Sequence, residues 1–120
     1  MAKILVVDDS PTEMAKFRDI LTRHQHVVIE AHTGEEGIQS AINHQPDIIL
    51  MDVVMPEING FQATRQITRN PATCHIPVVI ISTKGQETDR VWGKRQGAKD
   101  YLTKPITETQ LLDVIHTVMG

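Results

Sequence analysis

The sequence has one cysteine, little net charge and no long apolar run, and each shortage excludes a class of function. Cys74 has no second cysteine with which to close an intrachain disulfide, which suits a reducing compartment. A net charge of -3 supplies no basic field for nucleic acid. The apolar run nearest the N-terminus, Ile4 to Val7, is too short for a signal-peptide core or a membrane span. No linker, low-complexity tract or repeat interrupts the 120 residues, so one domain spanning 1–120 is expected, in a cytoplasmic protein.

What the sequence does have is alternation. Short runs rich in Val and Ile stand at Ile4–Val7, Val27–Ile29, Ile48–Met51 and Val78–Ile81, with a weaker one at Tyr101–Leu102. They lack polar alternation, as strands covered on both faces do. Between them lie segments of helical period. Ser10-Pro11-Thr12-Glu13 reads as a capping box with proline at the first helical position, ahead of a Met14, Phe17, Leu21 stripe. Thr33 with Glu36 opens a second helix with Ile38, Ala41 and Ile42 expected inward. A third starts near Gly60 and turns Phe61, Thr64 and Ile67 inward. Thr107 with Gln110 opens the last, with Leu111, Val114, Ile115 and Val118 on its face. The fourth, about Gln86 to Gln96, is the weakest. Its large apolar residues are Val91 and Trp92, and an interior Gly93 costs about 1 kcal/mol relative to alanine. Five strands alternating with five helices predict right-handed crossovers and a doubly wound α/β fold.

In such folds ligands bind beyond the carboxyl ends of the strands. Those ends carry Asp8-Asp9 after strand one, Asp52 after strand three, Ser82-Thr83 after strand four and Lys104-Pro105 after strand five. Taken singly, an aspartate pair is a turn or cap, Lys-Pro a bend and Ser-Thr a loop. Their joint placement at successive strand ends is what suggests a site. If strands one and three are neighbours, three carboxylates meet, and their repulsion calls for perturbed pKa values or a bound cation. Oxygen-only ligands favour a hard ion such as Mg²⁺ over a transition metal. These parts suit phosphoryl transfer: a carboxylate nucleophile, a metal against the phosphoryl charge, a fixed cation at Lys104 and a hydroxyl at Ser82.

Val6-Val7-Asp8-Asp9-Ser10, Met51-Asp52-Val53-Val54-Met55-Pro56 with Gly60, Ile81-Ser82-Thr83 and Tyr101-Leu102-Thr103-Lys104-Pro105 together resemble the CheY-like receiver domain of two-component response regulators, in order along the whole chain. The resemblance implies a flavodoxin-like five-stranded parallel sheet of order 2-1-3-4-5. It implies Asp52 as phosphoacceptor, with Mg²⁺ bound by Asp9, Asp52, the Val54 carbonyl and, through water, Asp8. Lys104 would contact the phosphoryl group, Ser82 and Tyr101 would form a switch pair, and the peptide bond before Pro105 would be cis. The partners implied are a CheA-like sensor histidine kinase as donor and a protein target on the face of helix four, strand five and helix five. Neither nucleic acid nor membrane insertion is implied. The runs Asp9–Met14, Asn59–Gln66 and Val91–Gly97 further resemble single-domain receivers of type IV pilus twitching-motility systems.

On this reading the protein is no enzyme beyond its own phosphorylation and slow dephosphorylation, acting as a signal transmitter or as a phosphate sink. Phosphorylation would draw Ser82 toward the phosphoryl group and let Tyr101 turn inward. Trp92 is either an aromatic anchor for a partner or a cover for strand five. Departures from the CheY pattern stand at Lys84, Thr83 and Val54, with serine at 82 in place of threonine. A flavodoxin-like flavin enzyme is disfavoured because Asp8-Asp9 would repel a phosphate, and an aspartate-nucleophile phosphatase because position 10 is serine. Helix five is expected to end at Met119-Gly120, which disfavours a receiver separated from a DNA-binding effector. Six histidines show no zinc spacing with Cys74, and Arg90, Lys94 and Arg95 read as a helix face too small for a nucleic-acid footprint.

Overall fold

A computed structural model describes all 120 residues. Strands β1 (Lys3–Val7), β2 (Val27–Ala31), β3 (Ile48–Met51), β4 (Val78–Ser82) and β5 (Asp100–Thr103) alternate with helices α1 (Pro11–Arg23), α2 (Gly34–His44), α3 (Gly60–Arg69), α4 (Glu87–Arg95) and α5 (Glu108–Met119). The strands form one sheet of order β2-β1-β3-β4-β5, every pairing parallel. This is the expected order, with its reversal beside β1 and β3. No helix is long and apolar enough to cross a membrane.

The period of two along each strand divides the core into two layers. Ile4, Val6, Ile48, Leu50, Val79 and Ile81 point to one face, where Met14, Phe17 and Leu21 of α1 and Leu111, Val114 and Ile115 of α5 cover them. Leu5, Val7, Ile49, Met51, Val78 and Ile80 point to the other, packing with Ala41 of α2 and Phe61, Ala63 and Ile67 of α3. Strands buried on both faces explain why the runs show no polar alternation.

Helix α2 buries Ala41 and packs Ile38 against the core as expected, and adds two glycines to that inner face. Its buried residues are Gly34, Gly37 and Ala41, whereas Ile38 and Ile42 are half-buried. A Cβ built on Gly37 would lie 2.8 Å from Val7 Cγ2, so α2 rests its backbone on β1 through small residues. Two helix starts lack the full box. Ser10 and Thr33 accept from the Glu13 and Glu36 amides, but neither glutamate returns a bond to its cap. Reciprocal boxes close α3 (Asn59 with Gln62) and α5 (Thr107 with Gln110).

Candidate functional site

Parallel register brings the strand-end residues together. Val7 lies opposite Met51, and the Asp52 amide donates to the Val7 carbonyl at 2.9 Å, so Asp8 and Asp52 leave adjacent strands at the same height. Carboxylate oxygens of Asp8, Asp9 and Asp52 lie within 4.8 Å of one another. Asp8 and Asp52 are buried and Asp9 is exposed. One Asp8 oxygen accepts the Ser10 amide at 2.9 Å, which joins the cap of α1 to the cluster.

Lys104 arrives from β5. Ser82 pairs with Thr103 across the β4–β5 ladder, and the Lys104 amide donates to the Ser82 carbonyl at 2.8 Å. The Lys104 side chain is only 10% exposed, and its ammonium lies 2.9 Å from Asp8, 3.4 Å from Asp52 and 3.5 Å from Glu13. Glu13 is the glutamate that fails to close the α1 box; its carboxylate serves the lysine instead. The sequence signal for Glu13 was a cap, so its place in the site was not legible.

The electrostatics follow from burial. Asp52 is pushed up to about 6, first by desolvation and then by the Asp8 charge, against the opposing pull of Lys104 and the Val53 amide. Burial works against the charge on Lys104, but the hydrogen bond to Asp8 and the charges of Asp52, Asp8 and Glu13 hold its pKa above the ordinary value. One cation for three clustered carboxylates leaves the site electron-rich, and an all-oxygen donor set fits a hard divalent ion.

Beyond Asp52 the chain folds back tightly. The Gly60 amide donates to the Val53 carbonyl at 2.9 Å, and a Cβ on Gly60 would lie 1.9 Å from the Asp52 carbonyl oxygen. Only glycine fits against that backbone. Val54 is 58% exposed in the loop between, and Lys84 is exposed in the loop after β4.

Ser82 is fully buried at the end of β4, where its Oγ accepts the Lys84 amide at 3.1 Å. Tyr101 is buried too. Its hydroxyl donates to the Lys84 carbonyl, and its ring lies against Gly93 of α4 and Ile80 of β4. Tyr101 thus already stands inward while Ser82 bonds the Lys84 amide, whereas the switch reading has it turn inward only after Ser82 moves. The Lys104–Pro105 bond is cis. Trp92 is 48% exposed on α4 and, with Glu87, Thr88, Val91 and Arg95, lines a shallow groove there. Arg90 is half-buried and donates to the Tyr101 carbonyl and the Thr103 hydroxyl of β5.

Residues 4–116 match the response regulator receiver domain family. The chain belongs to that family. As a receiver domain it is similar to protein PilH of Pseudomonas aeruginosa, with 57% identity over 120 residues, 100% of this chain and 99% of that protein. In structure it is similar to the receiver domain of sensor histidine kinase PA1611 of Pseudomonas aeruginosa, with magnesium ion coordinated in the active site cleft (TM-score 0.92, 27% identity, 99% of this chain and 98% of that one). It is also similar to a chain of the CheX–CheY–BeF3–Mg²⁺ complex of Borrelia burgdorferi (TM-score 0.92, 27% identity, 98% of this chain and 89% of that one). The receiver is thus a CheY-like signalling fold whose strand ends carry a carboxylate cluster able to hold a metal.

Proposed function

We propose that residues 1–120 work as one phosphorylation-driven switch, with Asp52 as the phosphoacceptor and a sensor histidine kinase of the CheA-like class as donor. The observation that supports this most is the meeting of three carboxylates within 4.8 Å beneath one nearly buried ammonium. An Asp52 oxygen attacks the phosphorus of a phosphohistidine. The new O–P bond forms as the P–N bond breaks, and its electron pair leaves on the imidazole. Asp8, Asp9, Asp52 and the Val54 carbonyl would hold magnesium, which when bound supplies positive charge against the phosphoryl oxygens.

The remaining work belongs to this chain's own groups. Lys104, already paired to Asp52 at 3.4 Å, moves its ion pair to the transferred group. Ser82 accepts the Lys84 amide and retains a hydroxyl proton to donate to a phosphoryl oxygen. That donation pulls on the loop after β4, whose Lys84 carbonyl carries the Tyr101 hydroxyl. The readout surface is the α4–β5–α5 face, where Trp92 and Val91 are exposed to a protein target. The 57% identity to PilH supports a place in a type IV pilus chemosensory system.

Transfer from a phosphorylated CheA-like kinase tests the assignment. Label should leave the kinase for the wild-type receiver in magnesium, slow at least tenfold in chelator, and never reach Asp52→Asn. Equal transfer to Asp52→Asn would place the phosphoacceptor elsewhere.

A further inference from the structure

Helix α4 is seated on the sheet in a way its sequence does not announce. Its one buried residue is Gly93, and its large apolar side chains, Val91 and Trp92, are exposed. Apolar burial therefore does little to hold it. Arg90 fills the gap. One guanidinium nitrogen donates to the Tyr101 carbonyl at 3.1 Å and another to the Thr103 hydroxyl at 3.2 Å. The same group lies 5.6 Å from the centroid of the Tyr101 ring. Gly93 forms the floor beneath that ring, where a Cβ would come within 2.9 Å of Tyr101 Cδ2.

We propose that Arg90 is a positioning residue that clamps Tyr101 inward, so that the orientation of the tyrosine and the seating of α4 form one coupled variable. The consequence for signalling rests on the switch role proposed above for Ser82 and Tyr101. Two short routes join the clamp to the phosphoacceptor cluster. From Tyr101, the hydroxyl reaches the Lys84 carbonyl, and the Lys84 amide reaches Ser82. From Thr103, the next residue is Lys104, which pairs with Asp8 and Asp52. A planar fork suits this task because it is preorganised to bond two acceptors while presenting a cation to an aromatic face; an ammonium is a point charge on a flexible stem and holds such a set less firmly. Loosening the clamp releases the ring and the helix together, moving the Trp92 surface without any new contact at Asp52.

The chain has one tyrosine, so 3-fluorotyrosine gives a single ¹⁹F resonance that reports on Tyr101 alone. The wild type, Arg90→Met and Arg90→Lys are compared with and without acetyl phosphate and magnesium, using a soluble paramagnetic agent to detect ring exposure. Arg90→Met should raise the solvent-exposed population of the ring roughly fivefold, the equivalent of one net hydrogen bond. Arg90→Lys should restore less than half of the loss. Should Arg90→Met fail to fold, the lysine variant carries the comparison against wild type. An unchanged ring exposure in Arg90→Met, or full restoration by lysine, overturns the clamp. Intact mass on the same samples separates the two readings. Equal phosphoryl gain in all three places the defect in coupling, whereas no gain in the wild type refutes the phosphoacceptor assignment and leaves the ring comparison in the untreated samples decisive for the clamp.

Discussion

Asp52 sits where its own ionisation is disfavoured, and that sets how the site responds to pH. Burial and the neighbouring Asp8 charge raise it to about 6, so its carboxylate stays protonated two units higher than an ordinary aspartate would. A protonated carboxyl is neither a nucleophile nor a metal ligand. Magnesium affinity should therefore be level above about pH 7 and fall roughly tenfold per unit once the pH drops below about 6, because proton and ion compete for the same carboxylate. Magnesium titrations of the wild type from about pH 4.5 to 8 check this, since metal at saturation would itself displace the proton; an affinity still level at about pH 4.5 would contradict it. Gly60 is the second residue on which the site depends. Alanine there sets a methyl 1.9 Å from the Asp52 carbonyl oxygen and 2.8 Å from Val53 Cα, both backbone atoms that cannot turn aside. Gly60→Ala should cost about 2–3 kcal/mol of stability, measured by urea unfolding, and weaken magnesium binding because Asp52 is displaced. A fully stable Gly60→Ala with unaltered metal affinity would count against this account.

At the scale of elements, α4 differs from the other helices. α1 buries Met14, Phe17, Ile20 and Leu21, and α5 buries Leu111, Val114 and Ile115, whereas α4 buries only Gly93. Amide exchange in α4 should be at least tenfold faster than in α1 under native conditions, read residue by residue by NMR; equal protection would mean that α4 is held as firmly as the rest. The sequence pattern already marked α4 as the thin element, and it located the strands because their Val and Ile runs are buried on both faces. It was incomplete at α2, where glycine carries no hydrophobic signal yet Gly37 rests against Val7 of β1 and Gly34 against Ile58 of the loop after β3. It placed Arg90 on a helix face and Glu13 in a cap, and missed the partners each has. A charged residue on a helix reads as a solvated one, and only the packing of β5 against α4, or of Lys104 beside α1, gives those side chains a buried partner.

For the whole molecule, the decisive relation is between segments far apart in the chain. Asp8, Asp52, Ser82 and Lys104 stand at the carboxyl ends of four different strands, and each was legible as a motif at a strand end. That they form one site depended on β1 and β3 being neighbours with β4 and β5 following in order, which the sheet now shows. The same topology places the carboxylates on the side of the molecule where the helix α1 cap, the folded-back Gly60 loop and the loop after β4 converge. The most direct test of the account is the intact mass of the folded chain after treatment with acetyl phosphate and magnesium, measured for the wild type and for Asp52→Asn. The wild type should gain the mass of one phosphoryl group, lost on mild alkaline treatment as an acyl phosphate is, and Asp52→Asn should gain nothing. A wild type that gains no mass, or an Asp52→Asn protein that gains as much, would contradict it.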